Sequence, residues 1–156
     1  MLWSDLTGIP VVLGTRGTTQ DLFALLDDED AENLVFIYLQ TKGWVVVPRS
    51  RSKDTMGYEY VLIRPRDGRR AVVQVKTGNT ALQISDLGQP DCTAFFFQTS
   101  GIYLGDDLPA TVRLSPTDIE SFARANPLLM PGCIGRRIRH LQRLSLTARD
   151  ETKVRT

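Results

Sequence analysis

The sequence has little of what several common functional classes require. It contains one histidine, His140, and two cysteines, Cys92 and Cys133, which form no CxxC pair. A single histidine excludes a histidine-rich metal site and argues against a Ser-His-Asp triad. Two isolated cysteines are typical of reduced thiols in an intracellular protein, so we expect a cytoplasmic location.

Long apolar runs and a large excess of one charge are also missing. The longest apolar runs, such as residues 34–39, are far too short to cross a bilayer, so we expect no membrane partner. No basic segment followed by a long apolar run precedes the domain, so no secretory signal is predicted. The formal net charge is only +1, so a nucleic-acid contact has to come from local basic patches.

What the chain does contain is the mixed helix and strand pattern of an α/β domain. Its 156 residues, 42% of them hydrophobic, suffice for one domain with a sizeable core. The pattern predicts a mixed sheet with helices packed on it. The expected helices cover residues 18–26, 30–42, 80–87, 116–125 and 134–146, and the expected strands cover 44–47, 58–64, 70–76, 93–98 and 111–114. The polar tail from residue 147 is expected to fray.

The hairpin formed by the second and third strands is informative because its register can be calculated. Asp67-Gly68 favours a tight two-residue turn, since primed turns need positive φ. Val61 then faces Gln74, and Glu59 faces Lys76. Side chains alternate along a strand, so Glu59, Gln74 and Lys76 are predicted to converge on one face of the sheet. A symmetric four-residue loop keeps this register. A three-residue bulged loop shifts it by one residue, so the three side chains no longer converge.

The preceding helix is expected to add a fourth polar residue to this group. Glu32, Val35 or Phe36, Leu39 and Gly43 follow helical spacing and share one stripe. That stripe is apolar except for Glu32, which therefore lies at the edge of the surface packed on the sheet. A carboxylate there is costly unless it binds a cation or a hydrogen-bond donor.

Such a group suits metal-assisted hydrolysis of a phosphodiester. Mg²⁺ prefers hard oxygen ligands and usually takes one or two carboxylates together with water and phosphate oxygens. Glu59 offers a carboxylate, Gln74 a side-chain carbonyl and Val75 a backbone carbonyl. Lys76 would orient or help deprotonate the attacking water and stabilise charge on the phosphate.

Three motifs in this order carry a resemblance to a known family. Glu32-Asn-Leu-Val, followed by Leu39 and Gly43-Trp44, looks like a first helix with an acidic residue. Residues 57–63, Gly-Tyr-Glu-Tyr-Val-Leu-Ile, look like a strand that opens with a metal-binding acid, and residues 73–76, Val-Gln-Val-Lys, look like a (D/E/Q)-x-K strand. The chain thereby resembles the PD-(D/E)XK nuclease superfamily, closest to its Mrr-type restriction endonuclease and Holliday-junction-resolvase-like branches.

The resemblance implies a restriction endonuclease-like mixed sheet in α-β-β-β-α-β order, flanked by helices, with an extra C-terminal helical segment. The expected divisions are an N-terminal extension at 1–29, a nuclease-like core at 30–126 and a basic helix and tail at 127–156. The resemblance also implies a deoxyribonuclease that uses Mg²⁺ or Mn²⁺ and acts on DNA, as a homodimer or within a larger nuclease or defence assembly. Glu59 and Gln74 would hold the metal, Lys76 would act on water, and Glu32 would be an accessory group.

The site departs from the family pattern and has simpler interpretations. Glu59 replaces the usual aspartate and Gln74 the second acid, so the site carries less negative charge and inactivity is left open. Glu59 and Lys76 are also explained as a cross-strand ion pair. Gln74 is also explained as a polar strand residue whose hydrogen bonds are satisfied, and Glu32 as a first-turn acid that complements the helix dipole. An inactive nuclease-fold module that docks nucleic acid, or a protein-interaction or immunity-type α/β domain, therefore remains an alternative.

Two basic segments are candidates for nucleic-acid binding. They are the loop with Arg49, Arg51 and Lys53 and the C-terminal helix with Arg136, Arg137 and Arg139. These side chains would hold phosphates. An ordinary solvated loop explains the first segment equally well, and a charged helix face is the commoner explanation of the second. Within the loop, Asp54 is an alternative metal-binding acid.

Overall fold

A mixed five-stranded sheet forms the centre of the computed structural model, which describes residues 22–47, 60–87 and 92–154. The strands are β1 (Val45–Val46), β2 (Tyr60–Arg64), β3 (Arg69–Lys76), β4 (Leu82–Gln83), β5 (Thr93–Gln98), β6 (Tyr103–Leu104) and β7 (Thr111–Arg113). The main sheet has the order β1-β2-β3-β5-β7, and β4 and β6 form a separate two-stranded sheet. β2 is antiparallel to β1 and β3, whereas β5 is parallel to both β3 and β7. The expected mixed α/β architecture is confirmed.

Three longer helices accompany the sheet: α1 (Asp28–Thr41), α2 (Pro116–Ala125) and α3 (Gly132–Val154). α1 starts earlier than expected because the side chain of Asp27 accepts a hydrogen bond from the Asp30 amide at 2.8 Å, which caps the first turn. α2 begins as expected, with Ser115 as its cap and Pro116 in its first turn. The expected end of the last helix near residue 146 is wrong, since α3 continues to Val154. Within the described ranges, no helix has the length and apolar character needed to cross a bilayer.

The two faces of the main sheet are covered differently. Ala71, Val73 and Val75 of β3 point into the larger hydrophobic cluster, to which residues of all three helices contribute. Val72 points the other way, into a smaller cluster with Leu82 and Phe96. We call the first face the helix face and the second the small-sheet face, because β4 and β6 lie on that side.

Residues 80–87 were expected to form a helix, and this expectation is wrong. The segment forms β4 and then a short 3-10 helix, Ile84–Leu87. Leu82 and Ile84 are both fully buried in the smaller cluster, a spacing of two that suits an extended chain. The amide of Leu82 donates to the carbonyl of Ile102 at 3.0 Å, so the segment finds its hydrogen bonds beside β6.

The β2–β3 hairpin has a different register from the calculated one. Val61 lies opposite Val72 rather than Gln74, and Arg64 pairs with Arg69. The turn therefore comprises residues 65–68, and both the Asp67 amide at 3.3 Å and the Gly68 amide at 2.8 Å donate to the Arg64 carbonyl. This shift of two residues changes each cross-strand partner but leaves every side chain on its original face.

The Asp67 carboxylate explains where the turn sits. It accepts hydrogen bonds from the guanidinium of Arg64 and from the Arg69 amide, so it ties both ends of the turn together. The hydrogen bond from Arg64 lowers the pKa of Asp67 to about 2. Gly68 closes the turn with a φ of 71°, a conformation that glycine adopts without steric cost. The sequence pattern of turn-forming residues does not reveal this ion pair. The turn calculated from the sequence, residues 67 and 68, is consequently centred one residue too far along the chain.

Candidate functional site

β3 places Gln74 and Lys76 on the same face of the sheet. They are two residues apart in one strand, and both alternate to the small-sheet face together with Val72. Gln74 is buried, with 5% of its surface exposed, whereas Lys76 is exposed at the end of the strand. The buried side-chain amide of Gln74 thus lies two residues before the solvent-exposed Lys76 in the same strand.

The side chain of Gln74 is an unusual feature of this interior. Its Oε1 atom is buried and accepts no hydrogen bond from the described part of the protein. Leaving a buried acceptor unpaired costs about 1–3 kcal/mol, and native proteins tolerate few such groups. The neighbouring strand residues supply no compensation, because Phe96 is the parallel partner of Gln74 and Val72 precedes it on the same face. A donor or cation that reached this oxygen would satisfy it.

Glu32 does not share that face. α1 packs on the helix face through Ala31, Leu34, Val35 and Leu39. The backbone carbonyl of Glu32 accepts a hydrogen bond from the Tyr60 hydroxyl at 3.1 Å, and Tyr60 belongs to the larger cluster. α1 therefore covers the face opposite to the one on which Gln74 and Lys76 lie, since helical spacing reveals which stripe is apolar but not which sheet face it covers.

Several predicted site residues lie outside the described residues: Glu59, Arg49, Arg51, Lys53 and Asp54. Val75 is described, and its side chain is buried in the larger cluster on the helix face. Only its backbone carbonyl would be available to a metal ion. The described part of the expected metal site is therefore Gln74 and the backbone of Val75, with Lys76 beside them.

The C-terminal arginines lie on α3, which is anchored on the helix face through Ile134 and Ile138. Arg136 and Arg139 are exposed, and Arg137 is partly buried. Because Gln74 and Lys76 face the other side of the sheet, the structure does not bring these arginines to the Gln74–Lys76 face. The sheet separates the two groups of residues.

Gln98, which the sequence did not single out, organises the carboxyl ends of the central strands. Its side chain is fully buried, and its Nε2 donates to the carbonyls of Gly78 and Thr80, each at 2.9 Å. Its Oε1 accepts from the amides of Ser100 at 2.5 Å and Ile102 at 3.1 Å. The sequence signal that points to Gln98 is its position directly after three phenylalanines in a buried strand, because a buried polar side chain needs hydrogen-bond partners.

Tyr103 completes this network. Its hydroxyl accepts from the amide of Gln98 at 3.1 Å and lies 3.2 Å from the carbonyl of Leu114, to which it donates. Burial raises the pKa of Tyr103, opposed by the hydrogen bond from Gln98 and by the charge of Arg113. The hydroxyl consequently keeps its proton and links β5 to the end of β7.

An open pocket of about 340 Å³ lies where β3 and β5 end. It is lined by Phe23, Ala24, Gly78, Asn79, Thr99 and Ser100. The carboxyl ends of parallel strands are a frequent location for ligands in α/β sheets. Beside it, the Thr77 hydroxyl donates to the carboxylate of Asp28, so the first turn of α1 is tied to the segment that follows Lys76.

The described residues do not by themselves form a complete metal centre. In the part of the chain that the structure covers, no three His, Cys, Asp or Glu side chains come together. Gln74 Oε1 fits one oxygen position of a Mg²⁺ or Mn²⁺ ion, since it is buried and unpaired. The chain matches no protein-family model, no curated protein and no solved structure.

Proposed function

We propose that this chain is a metal-dependent, restriction endonuclease-like domain that hydrolyses phosphodiester bonds in DNA, with Gln74 and Lys76 at its centre. The single observation that carries the proposal is the buried, unpaired Oε1 of Gln74 beside Lys76 on one strand face. A Gln-x-Lys strand with this arrangement resembles the (D/E/Q)-x-K strand of the PD-(D/E)XK nucleases. The carboxylate of the site would come from Glu59.

The architecture supports the proposal. The order α1, β1, β2, β3 and later β5 follows the helix and strand order expected of the family, with a mixed sheet and β3 at its centre. One departure is the segment between β3 and β5, where β4 and a 3-10 helix stand in place of the expected helix. The small-sheet face is consequently covered by a short two-stranded sheet, on the side where Gln74 and Lys76 lie.

Each residue has a defined chemical role in this proposal. Gln74 Oε1, the Glu59 carboxylate and the Val75 carbonyl would hold a Mg²⁺ or Mn²⁺ ion. When bound, that ion supplies an activated water at neutral pH. Lys76 orients the water and stabilises negative charge on the phosphate through its ammonium group. Lys76 is suited to this role because it is exposed at the end of β3, where a substrate phosphate can reach it.

DNA cleavage in the presence of Mn²⁺ tests the proposal directly. The wild type is compared with Lys76→Ala and with Lys42→Ala, which removes an exposed lysine beyond the end of α1. We expect Lys76→Ala to lower the rate at least about 100-fold, in the range of other electrostatic groups in active sites, and Lys42→Ala to leave it unchanged. Equal rates for wild type and Lys76→Ala would overturn the mechanism.

A second candidate function is an inactive nuclease-fold module that binds nucleic acid. The observation that favours it is the scarcity of acids: no metal-binding cluster occurs among the described residues, and a neutral glutamine occupies the position of an acid. Such a module would bind DNA with a steep dependence on salt and without a divalent ion. Saturable DNA binding without measurable Mn²⁺ binding or cleavage would establish this candidate instead.

A further inference from the structure

An open pocket of about 330 Å³ lies on the helical side of the protein. Gln74 and Lys76 face the opposite side of the sheet. The pocket is formed where residue 25 meets the first turns of α3, and the described residues that line it are Leu25, Cys133, Arg136, Arg137 and His140. Three of these five side chains are basic. We call it the α3 pocket.

Helical geometry accounts for the concentration of basic groups. Arg136 and Arg137 follow Cys133 by three and four residues, and His140 follows them by four and three, so the four residues form a single stripe along α3. Ile134 and Ile138 are buried in the larger cluster and fix the rotation of the helix about its axis. The basic stripe is therefore held in a defined orientation at the edge of a packed helix.

The basic side chains of the α3 pocket form no ion pairs within the described residues, although the carboxylate of Asp30 contacts Cys133, which also lines the pocket. Asp30, which α1 contributes near this region, accepts a hydrogen bond from the thiol of Cys133 at 3.0 Å. An anion in the pocket would meet the guanidinium groups of Arg136 and Arg137 without displacing an ion pair among the described residues.

The guanidinium groups of Arg136 and Arg137 are the donors that an anion with several oxygens would meet in this pocket. The guanidinium of Arg136 folds back along the helix, and its Nη1 would lie 3.6 Å from a Cβ placed at Gly132. Arg137 is only partly exposed, so its side chain loses less conformational entropy on binding than that of a fully exposed arginine. Guanidinium groups bind phosphate through paired N–H donors, and two of them around one pocket favour a doubly charged phosphate.

We infer that the α3 pocket binds a phosphomonoester group, as found on a nucleotide or at the end of a nucleic acid. Such a group carries a charge of about −1.5 to −2 at neutral pH, whereas a diester in a nucleic-acid backbone carries −1. The inference goes beyond the proposed nuclease function and does not depend on it, because α3 lies on the opposite side of the sheet from Gln74 and Lys76.

Calorimetric titration of the full chain tests the inference. The probes are inorganic phosphate, a nucleoside monophosphate, and one oligonucleotide prepared with and without a 5′-phosphate, all at constant ionic strength. We expect saturable binding of the phosphorylated probes and a loss of at least about tenfold in affinity for Arg136→Gln and for Arg137→Gln, since each removes a charged hydrogen-bond donor. Arg139→Gln is the matched control, because it removes the same charge from the same helix outside the pocket.

The outcomes separate the possible sources of the phosphate. Preference for the 5′-phosphorylated oligonucleotide over the nucleotide supports the inference and assigns the site to nucleic-acid ends, and equal affinity supports it and assigns the site to free nucleotides. Equal losses in Arg136→Gln and Arg139→Gln would overturn it, since they indicate general attraction to a charged helix. No saturation with any phosphorylated probe would overturn it as well. Circular dichroism of each variant verifies folding before titration.

Discussion

Gln98 holds the backbone of Gly78 through a hydrogen bond of 2.9 Å from its Nε2 to the Gly78 carbonyl. Gly78 belongs to the segment that leaves β3 immediately after Lys76, and the Ser100 hydroxyl donates to the same carbonyl at 2.8 Å. One fully buried amide thereby joins the chain after β3 to the chain after β5. Lys76 is the last residue of β3 before this connection, and its carbonyl accepts a hydrogen bond from the Thr99 amide at 3.0 Å.

Replacing Gln98 with leucine should destabilise the protein. The change keeps the approximate volume but leaves the Thr80 carbonyl and the amides of Ser100 and Ile102 without this partner, at about 1–3 kcal/mol for each group that water does not reach, whereas the Gly78 carbonyl keeps the Ser100 hydroxyl. We expect a loss of about 2–4 kcal/mol in the free energy of unfolding, measured with urea. Gln83→Leu, at an exposed position of β4, is the control and should change stability by less than about 0.5 kcal/mol. Equal stability of both variants would contradict the assigned network.

The same substitution at Gln74 should have the opposite sign. Gln74→Leu removes a buried oxygen that has no partner in the described structure, so the folded state loses an unfavourable group. We expect the free energy of unfolding to rise by about 1 kcal/mol without divalent ions, while the affinity for Mn²⁺ falls. Urea unfolding with and without Mn²⁺ measures both effects. A large loss of stability in metal-free solution would show that the oxygen has a structural partner instead.

The hairpin turn should show a defined dependence on pH. The pKa of Asp67 is lowered from 3.8 to about 2 in the folded protein, chiefly by the hydrogen bond from Arg64. The folded state therefore holds the charged form more strongly than the unfolded chain does. This stabilisation is complete above about pH 4 and is lost as the pH falls toward about 2.

Asp67→Asn isolates that contribution, because asparagine preserves the acceptor for the Arg69 amide but not the charge. The urea midpoint of the variant should lie below that of the wild type at about pH 7, and the difference should shrink at about pH 2.5. Asp106→Asn, at an exposed position, is the control. A difference of the same size at both pH values would contradict the ion pair.

Cys133 should react slowly with alkylating reagents. The hydrogen bond to Asp30 and burial both raise the pKa of its thiol above the ordinary value of 9.0, which reduces the reactive thiolate. In a Cys92→Ser background, the pH at half-maximal alkylation should therefore lie above 9.0. Asp30→Asn should lower that midpoint and speed alkylation, whereas Glu29→Gln, the same charge change one residue away, should have a smaller effect. Identical midpoints for all three proteins would rule out the contact.

Local signals in the sequence predicted much of the fold. The apolar run of β5 and the Ser115-Pro116 start of α2 led to the observed bounds of both elements, Thr93–Gln98 and Pro116–Ala125. Such elements are predictable because their hydrophobic content or capping residues lie within the segment itself. The alternation of Gln74 and Lys76 onto one strand face follows from the same local geometry.

Features that depend on distant partners were not predicted. The hairpin register is set by the Arg64–Asp67 contact, and β4 exists because β6 lies beside it. Helical periodicity identified the apolar stripe of α1 but not the face it covers, so it did not show that α1 and Gln74 lie on different sides. Likewise, the importance of Gln98 is visible only when the segments after β3 and β5 are placed together.

The central position of β3 also affects how the molecule folds. β3 forms a local antiparallel hairpin with β2 and a parallel pair with β5, whose residues lie about twenty positions further along the chain. Local hairpins form quickly, whereas parallel pairing needs a long crossover and is slower. β5 has three buried phenylalanines that would be exposed until it docks on β3. Substitutions in β3 are therefore expected to affect the yield of folded protein as well as its chemistry. The extent of aggregation during refolding measures this effect.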